Sequence, residues 1–380
     1  MELNSVRERI DAIDNELTRL FTERMQTVAE VARVKKATGK AVRDPARERA
    51  VVNRVTAQAG DAFAPYVKNL YGLIFELSRN YESMLMGERS PLGDRIEQAC
   101  REGEGKRLPG RALVACQGTE GAYAQQACEK LFEYPDILYF DSFDGVFNAV
   151  EKGMCEFGVL PIENSTAGSV NAVYDLLAQF DFHIVRSLRL KIDHNLLVKP
   201  GTKFQDVREV YSHGQAIAQC AGFIETHNMH ASKYPNTAMS AEMVANSERT
   251  DVAAIASRSC AALYGLEVLE PNIQDSDNNY TRFACISRDL QIFPGADRTS
   301  LMVVLPHRPG SLYQVLSRFY ALGVNLNKLE SRPIPERNFE FMFYFDLETS
   351  VYAPQFTQLM GELPELCEDF SYLGSYSEVI

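Results

Sequence analysis

The sequence has no apolar run that approaches 18 residues, so we expect no membrane-spanning helix. Its eight cysteines are scattered and include no Cys-x-x-Cys pair, which predicts free thiols and neither a disulfide framework nor a metal site. The chain also lacks an excess of positive charge. Its net charge of −12 argues against nucleic acids and anionic membranes as partners. No signal peptide precedes the first amphipathic segment, which makes the cytoplasm the expected location.

What is present is typical of a globular protein. The 380 residues allow two or three domains, and 46% of them are hydrophobic and 24% charged. Because the whole chain is acidic, an anionic substrate would need a locally basic pocket.

The first segment, from Leu3 to Gly39, predicts one very long helix of roughly 50 Å. Apolar side chains recur at steps of three and four, which is the helical period, and no proline interrupts them. A helix of this length cannot bury such a stripe against itself, so we expect partner helices from a second copy of the chain. The apolar stripe consists of Val6, Ile10, Ile13, Leu17, Leu20, Phe21, Val28, Val31 and Val34.

Two cations interrupt this stripe. Arg24 and Lys35 are eleven residues apart, about three turns, so they lie on one face roughly 16 Å apart. Either they snorkel or form internal salt bridges, or they build an anion site for a small dicarboxylate inside a helical bundle. Arg7 lies about 25 Å from Arg24 along the helix and could serve the equivalent site of an antiparallel partner.

A second helix is predicted just after this segment. Asp44 is a good N-cap, and Pro45 suits the first helical position. Arg47 and Glu48 then lie in the first turns of the helix.

A third helix is predicted from about Pro65 to Met86 by apolar residues at the helical period. Ser78 and Glu82 are four residues apart on it and therefore share a face. By itself this pair is as readily a solvated edge as part of a site.

The order of these polar residues along about the first 88 residues resembles the all-helical chorismate mutases. The resemblance implies an intertwined dimer with two sites, each borrowing the first-helix arginine of the other chain. It also implies a pericyclic rearrangement of chorismate to prephenate without a cofactor, in which the protein holds the compact conformer and stabilises charge on the ether oxygen. The implied roles are to grip the two carboxylates (the partner's Arg7, with Arg24 and Ser78), to donate to the ether oxygen (Lys35 and residue 82), to hold the ring hydroxyl (Asp44 and Glu48) and to line the pocket (Arg47).

Position 82 departs from the glutamine that is familiar in that family. Here it is Glu82, and a carboxylate cannot donate a hydrogen bond, whereas a carboxylic acid can. We therefore predict that Glu82 must be protonated to assist, so that mutase turnover falls as the pH rises. Burial would favour the protonated form, and a nearby Lys35 would favour the ionised form.

The composition changes after the third helix. Residues 89–110 are polar and rich in helix breakers, which predicts a linker with a short helix at Ile96–Cys100. From residue 111 onward an apolar strand, Ala112–Cys116, enters the glycine loop Gly118–Gly121 and a helix, a pattern common in α/β proteins. The glycine spacing does not match a dinucleotide-binding loop.

Polar clusters recur in this region where strands end and helices begin. In α/β sheets such positions bind ligands because helix N-termini offer free N–H groups. Each cluster alone is as readily capping or turn chemistry. The strongest clusters are Glu163-Asn164, Tyr211-Ser212-His213-Gly214-Gln215 and Thr281-Arg282-Phe283.

Together these clusters resemble prephenate dehydratase over about residues 111–290. The resemblance implies two α/β lobes, similar to periplasmic binding proteins, with the site in the cleft between them. Prephenate would lose CO2 and water there, and the hard step is to protonate the departing hydroxide. Thr281 matches the family's essential threonine and would be one donor in a network. Arg282 could bind a carboxylate or pair structurally. The other implied cleft residues are Glu163, Asn164, Ser212, His213, Gln215 and Phe283.

Residues 299–377 predict the element order β-α-β-β-α-β of ferredoxin-like folds. Gly310-Ser311-Leu312 lies in the first loop, and Glu330-Ser331-Arg332-Pro333 ends the second strand. This motif pair resembles the ACT domain that binds phenylalanine in the family, where Gly310 would let backbone N–H groups approach the ligand's carboxylate. A plain dimerisation module is the alternative.

The whole chain thus resembles the bifunctional chorismate mutase/prephenate dehydratases, with a mutase at 1–88, a linker at 89–110, a dehydratase at 111–290 and an ACT domain at 299–377. The resemblance implies chorismate and prephenate as substrates, phenylalanine as inhibitor, no cofactor, and a homodimer or tetramer. One alternative is a dehydratase whose helical module is only a dimerisation arm. Another is a non-catalytic amino-acid sensor, from which Thr281 distinguishes an enzyme.

Overall fold

The computed structural model describes residues 3–86, 90–334 and 340–380 and divides the chain into two compact units. The first unit comprises residues 1–94 with two short segments, 316–323 and 357–362, and the second comprises the rest. Within the described residues, no helix combines the length and the apolar character needed to cross a membrane. All eight cysteines are free thiols and six of them are buried, as predicted.

Three helices build most of the first unit, with bounds close to the predicted ones. They are α1 (Leu3–Thr38), α2 (Pro45–Ala59) and α3 (Ala64–Met86), and α3 packs against both of the others. Asp44 caps α2 as expected, because its side chain accepts a hydrogen bond from the backbone N–H of Arg47.

The apolar stripe of α1 stays uncovered within one chain. Ile10, Ile13 and Leu17 are 51%, 64% and 53% exposed. Each of these side chains would contribute roughly 1.5–3 kcal/mol if it were fully buried. A continuous exposed stripe of this kind marks a surface that associates with another apolar surface.

A fourth helix, α4 (Pro91–Gly103), occupies most of the segment predicted as a linker. It is longer than the predicted helix at Ile96–Cys100, because Ser90 caps it by accepting a hydrogen bond from the N–H of Gly93 at 2.9 Å. Ile96 and Ala99 are buried on its inner face. The Ser90 cap and a short apolar stripe are therefore enough to form a helix within a segment that is rich in helix-breaking residues.

The second unit begins with an α/β lobe, hereafter the first lobe, to which a later strand returns. Its consecutive elements are β1 (Arg111–Gln117), α5 (Tyr123–Leu131), β2 (Tyr134–Phe140), α6 (Phe143–Glu151), β3 (Phe157–Asn164), β4 (Gly168–Ser169), α7 (Asn171–Leu177) and β5 (His183–Lys191).

The chain then crosses into a second lobe and comes back. The elements of the second lobe are β6 (Asn195–Val198), a 3-10 turn (Phe204–Asp206), β7 (Glu209–Ser212), α8 (Gly214–Gln219), α9 (Ala221–Thr226), β8 (His230–Lys233), α10 (Thr237–Asn246), β9 (Val252–Ala256), α11 (Arg258–Tyr264) and β10 (Glu267–Glu270). The returning strand is β11 (Tyr280–Ser287), which rejoins the sheet of the first lobe.

The C-terminal region has the element order that the sequence predicts. It consists of β12 (Arg298–Val304), α12 (Ser311–Ala321), β13 (Asn325–Pro333), β14 (Phe341–Glu348), α13 (Pro354–Glu362), a 3-10 turn (Leu363–Leu366), β15 (Asp369–Tyr376) and β16 (Glu378–Val379). The sequence predicts the third strand of this region at Phe339–Leu347, and Phe339 lies outside the described residues.

Three sheets organise the second unit. The first lobe has the order β16-β5-β11-β3-β1-β2, with β4 beside β3, and the second lobe has β10-β6-β9-β7-β8. The C-terminal sheet has the order β13-β14-β12-β15 and is antiparallel. Its Met302, Met342 and Tyr344 join the same buried cluster as Phe147 and Tyr174 of the first lobe.

The sequence predicts a strand at Ala284–Ser287 that follows the cluster Thr281-Arg282-Phe283, but this cluster lies inside β11. Tyr280, Thr281 and Phe283 suit a pleated strand, so β11 begins earlier, at Tyr280. The motif Glu330–Pro333 ends β13, as predicted, and the strand continues through it to Pro333.

A close backbone contact attaches the C-terminal sheet to the first lobe and can be tested. A Cβ on Gly374 of β15 would lie 2.4 Å from the backbone oxygen of Ile184 on β5, and the φ of Gly374 is +129°. We expect Gly374→Ala to lower the free energy of unfolding by about 3 kcal/mol or more, because strain and overlap add. Gly295→Ala is the matched control, since its φ of +85° carries strain in open space, and about 1–2 kcal/mol is expected. Equal losses in urea denaturation would contradict the contact.

Candidate active sites

The polar residues predicted on α1 and α3 meet where these two helices pack. Lys35 Nζ lies 2.8 Å from Glu82 Oε1 and donates to the backbone oxygen of Val42 at 2.5 Å. Arg24 donates to the hydroxyl of Ser78. Ser78 and Glu82 are both buried, so this pair is not a solvated edge.

The two cations differ in how their charge is compensated. Lys35 faces a carboxylate, whereas the hydrogen-bond partner of Arg24 is a neutral hydroxyl. Burial lowers the pKa of Arg24 from its usual value, and Tyr71 opposes that shift. Arg24 remains charged at neutral pH because even a lowered arginine pKa lies far above 7. Its position therefore favours the binding of an anion.

The neighbourhood of Lys35 is locally basic in an acidic chain. A cavity of about 290 Å3 is lined by Lys35, Lys36, Gly39, Lys40, Ala41 and Met86. Three ammonium groups at one opening would attract an anionic substrate, as the net charge of −12 requires.

The other predicted residues of the helical unit are placed differently. Glu48 forms an ion pair with Arg79, a residue that the sequence analysis did not single out. Asp44 and Arg47 are exposed, and Arg7 lies exposed near the start of α1. One chain therefore brings Arg24, Lys35, Ser78 and Glu82 together, but it does not bring Arg7 to them.

A second polar network lies where the chain passes between the two α/β lobes. Asn164 ends β3 and is the register partner of Thr281 on β11. The amide N–H groups of Asn164 donate to Thr281 Oγ1 at 3.0 Å and to Asn279 Oδ1 at 2.9 Å. Because Thr281 accepts this bond, its own hydroxyl proton stays available for donation.

The orientation of the Asn164 amide is fixed by its other end. Its Oδ1 accepts hydrogen bonds from the Thr166 hydroxyl at 2.7 Å and from the backbone N–H groups of Thr166 and Ala167. An oxygen surrounded by three donors requires the nitrogen to point toward Thr281.

Gln219 belongs to this network, whereas the residue predicted for it was Gln215 on the same helix. Its Nε2 donates to Thr166 Oγ1 at 2.6 Å, and its Oε1 accepts from Asn279 Nδ2 at 3.1 Å. Gln215 is exposed. Gln219 lies one helical turn after Gln215, so the helical period places both on the same side of α8. Only the orientation of α8 in the structure decides which of the two reaches the network.

A buried histidine supports Gln219 from behind. His194 Nε2 lies 2.9 Å from Gln219 Oε1, and His194 Nδ1 lies 3.4 Å from the hydroxyl of Tyr123. Burial lowers the pKa of His194, so its imidazole is neutral at pH 7 and can donate Nε2–H to the glutamine oxygen.

Three predicted cleft residues have structural surroundings of their own. Ser212 is buried and donates to the backbone oxygen of Ile255 at 2.6 Å. His213 caps α8, and its Nδ1 accepts from the N–H of Gln215 at 3.3 Å. Phe283 is buried in the core of the first lobe. The capping alternative therefore describes His213 in this structure.

Glu163 and Arg282 face away from Asn164 and Thr281, because neighbouring residues on a strand point to opposite faces. Arg282 donates to Asp346 at 2.5 Å and to the Tyr376 hydroxyl at 2.8 Å, and its Nε lies 3.1 Å from Glu378. Burial alone would lower the pKa of Arg282, but Tyr376, Asp346 and Glu378 together raise it. Of the two alternatives for Arg282, the structure shows structural pairing.

The first motif of the C-terminal region lines a cavity of about 340 Å3. Ser311 and Leu312 of this motif line the cavity. Gly310, the residue just before them, has a φ of +90°. The lining residues are Leu305, Pro306, His307, Arg308, Pro309, Ser311, Leu312, Glu340, Phe341 and Phe343.

The second motif of the C-terminal region is split between the two faces of β13. Glu330 accepts from the Ser169 hydroxyl and Arg332 binds Asp175, so both side chains reach the first lobe. Ser331 and Pro333 are exposed on the opposite face.

Family models match both halves of this arrangement. The chorismate mutase type II model matches residues 6–83, and the prephenate dehydratase model matches residues 114–291. The helical unit and the two-lobed unit therefore define an enzyme that joins these two classes in one chain.

Individual relatives identify the family. The bifunctional chorismate mutase/prephenate dehydratase of Enterobacter agglomerans is 32% identical over 98% of this chain and 95% of its own length. Arogenate dehydratase 2 of Petunia hybrida is 37% identical over 72% of each chain. The solved structure of prephenate dehydratase from Arthrobacter aurescens in complex with L-Phe gives a TM-score of 0.64 at 28% identity, covering 71% of this chain and 90% of that one. This chain belongs to the bifunctional chorismate mutase/prephenate dehydratase family.

The pairing of Arg282 predicts a large cost for its removal. Arg282→Met would leave Asp346 without its cation, and we expect the free energy of unfolding to fall by about 3–5 kcal/mol. Arg189→Met is the matched control, because Arg189 also contacts Glu378 but is 46% exposed, and less than about 1 kcal/mol is expected. The comparison is made by calorimetry of the full chain. A stability for Arg282→Met that equals the control would argue against a structural role.

Proposed function

We propose that this protein catalyses two consecutive steps of phenylalanine biosynthesis, the conversion of chorismate to prephenate and of prephenate to phenylpyruvate. The helical unit would carry out the first step and the cleft between the α/β lobes the second. The observation that carries the proposal is the presence of both polar constellations in one chain, together with a bifunctional relative that matches 98% of it.

The mutase step needs neither a nucleophile nor a cofactor. A bundle that holds both carboxylates of chorismate in the compact conformer supplies most of the rate. Arg24, assisted by Ser78, would bind one carboxylate, and the partner subunit's Arg7 would bind the other. Asp44 and Glu48 would hold the ring hydroxyl, and Arg47 would line the pocket. The exposed stripe of α1 supports a homodimer whose second copy covers it and delivers that arginine.

Lys35 and Glu82 would act at the ether oxygen, where negative charge grows as the C–O bond breaks. The distance of 2.8 Å between Lys35 Nζ and Glu82 Oε1 supports a common target for the two groups. Lys35 donates as an ammonium group, whereas Glu82 donates only when it is protonated. The mutase would therefore work best at a pH at which Glu82 carries its proton.

The dehydratase step would use the network around Thr281. The bond from the prephenate ring to its carboxylate breaks to release CO2, the electron pair enters the ring, and the ring hydroxyl departs. Thr281 would donate its proton to the departing oxygen, which leaves as water, and a proton from solvent would restore the Thr281 hydroxyl. A threonine hydroxyl is a weak acid, so Asn164 and Gln219 would share the developing charge through their hydrogen bonds.

Prephenate is the substrate we propose for this cleft, although one relative is named for arogenate. The two compounds differ in their side chain, which carries a ketone in prephenate and an amine in arogenate. The helical unit of this chain would supply the keto compound directly. A competition assay with both compounds separates the two candidates.

Phenylalanine would inhibit through the C-terminal region, for which we propose a ferredoxin-like ACT fold. The strand order β13-β14-β12-β15 fits that fold, and the Arthrobacter relative is described with L-Phe bound. The ligand would lie at Gly310, Ser311 and Leu312 beside the exposed face of the 330–333 motif. Inhibition requires two states that bind phenylalanine differently. The other face of β13 could couple the phenylalanine site to the dehydratase site, because Lys328 on that face lies 3.2 Å from Glu163, the residue next to Asn164.

The two activities can be tested together with chorismate as the only substrate. The purified full chain should convert it to phenylpyruvate, and a protein-free sample corrects for spontaneous aromatisation. Prephenate formation should slow at least ~10-fold from acidic to neutral pH, and Glu82→Gln should remove that dependence. A flat pH profile that Glu82→Gln leaves unchanged would disprove the role of Glu82. If chorismate persists while added prephenate is consumed, the helical unit is only a dimerisation arm.

Thr281 separates an enzyme from a sensor. Thr281→Val keeps the shape of the side chain and removes the hydroxyl, so prephenate turnover should fall ~100-fold or more while prephenate accumulates from chorismate. Thr226→Val is the matched control, because its hydroxyl bonds only to the backbone of its own helix at Gly222 in the described contacts. Normal phenylpyruvate formation by Thr281→Val would remove Thr281 from the mechanism.

A further inference from the structure

Arg79 on α3 forms an ion pair with Glu48 on α2. Arg79 Nη1 lies 2.5 Å from Glu48 Oε1, and the two side chains are only 23% and 25% exposed. Solvent and salt screen such a pair less than an ion pair on the open surface. The contact therefore restrains the position of the Glu48 carboxylate.

Arg79 directly follows Ser78 on α3, and the two side chains serve different neighbouring helices. Consecutive residues on a helix are about 100° apart, so Arg79 and Ser78 point in different directions. Ser78 holds Arg24 of α1, while Arg79 holds Glu48 of α2. One turn of α3 thus fixes charged groups on both neighbouring helices.

We propose that Arg79 is a positioning residue for the mutase reaction and that it acts by holding Glu48 for the ring hydroxyl of chorismate. The inference rests on the proposed mutase function. A carboxylate has two oxygens. The guanidinium occupies Oε1 of Glu48, which leaves Oε2 to accept the hydroxyl proton of the ligand. A charge-assisted bond of this kind fixes direction as well as distance.

Arg79 also solves a problem of charge. Chorismate carries two carboxylates, and a further unpaired carboxylate beside it would repel it. The guanidinium of Arg79 compensates Glu48, so the hydroxyl acceptor adds no net negative charge to the pocket. Because the ring hydroxyl is held in both the ground state and the transition state, loss of Arg79 should raise KM more than it lowers kcat.

The test measures both activities of the full chain for Arg79→Met. We expect kcat/KM for chorismate to fall ~10-fold or more, mainly through KM, and prephenate turnover to stay unchanged. Arg79→Lys should recover part of the loss, since a shorter cation can still reach Glu48. Arg101→Met is the matched control, because it removes the arginine of an exposed ion pair with Glu97 on α4 and should change neither activity.

A double variant decides whether Arg79 acts through Glu48. Glu48→Gln combined with Arg79→Met should be no slower than Glu48→Gln alone within about twofold, because the second change removes a partner that is already lost. Multiplicative losses, or an Arg79→Met enzyme with unchanged kcat/KM, would overturn the inference. A fall in melting temperature without a KM effect and without recovery by lysine would show a merely structural pair. A wild-type chain that consumes prephenate but not chorismate would instead overturn the mutase function, and this inference with it.

Discussion

The antiparallel pairing of β3 with β11 is the contact on which the two-lobed unit depends. It joins residues that are 117 positions apart, Asn164 and Thr281, and it closes the excursion of the chain into the second lobe. The pairing also assigns directions to four polar side chains at once. Asn164 and Thr281 point to the network that reaches Gln219, while Glu163 and Arg282 point to the C-terminal sheet. A shift of the register by one residue would exchange these two sets, because the side-chain period of a strand is two.

The two faces of that strand pair carry different kinds of polar group. On one face, neutral amides and hydroxyls form a hydrogen-bonded network that includes Asn164, Thr281 and Gln219. On the other face, Arg282 is buried among Asp346, Tyr376 and Glu378. A buried guanidinium is tolerated only with such partners. Adjacent residues of one strand therefore support the neutral network on one face and the buried ion pairs on the other.

In the helical unit, too, charged side chains are paired across neighbouring elements. Arg24, Lys35 and Arg79 are cations inside or beside a bundle, and α3 supplies or holds the group that each one contacts. In the proposed mutase, Arg24 and Lys35 would turn to the substrate dianion, whereas Arg79 would keep Glu48 as its partner. The net charge of −12 makes the contrast sharper, because the opening lined by Lys35, Lys36 and Lys40 is locally basic in an acidic chain.

The amino-acid sequence by itself determined the elements and the residue types of both sites. The period of α1, the capped start of α2, and the order of strands and helices after residue 111 are local patterns, and neighbouring residues suffice to set them. The same local rules missed the full length of α4 and the early start of β11 at Tyr280. Only the tertiary structure decided that Gln219 and not Gln215 reaches Asn279, that Arg282 pairs with Asp346, and that Arg79 holds Glu48. Those facts depend on strand register and on the rotation of one helix against another. Both are set by contacts between residues far apart in the chain, which no local period contains.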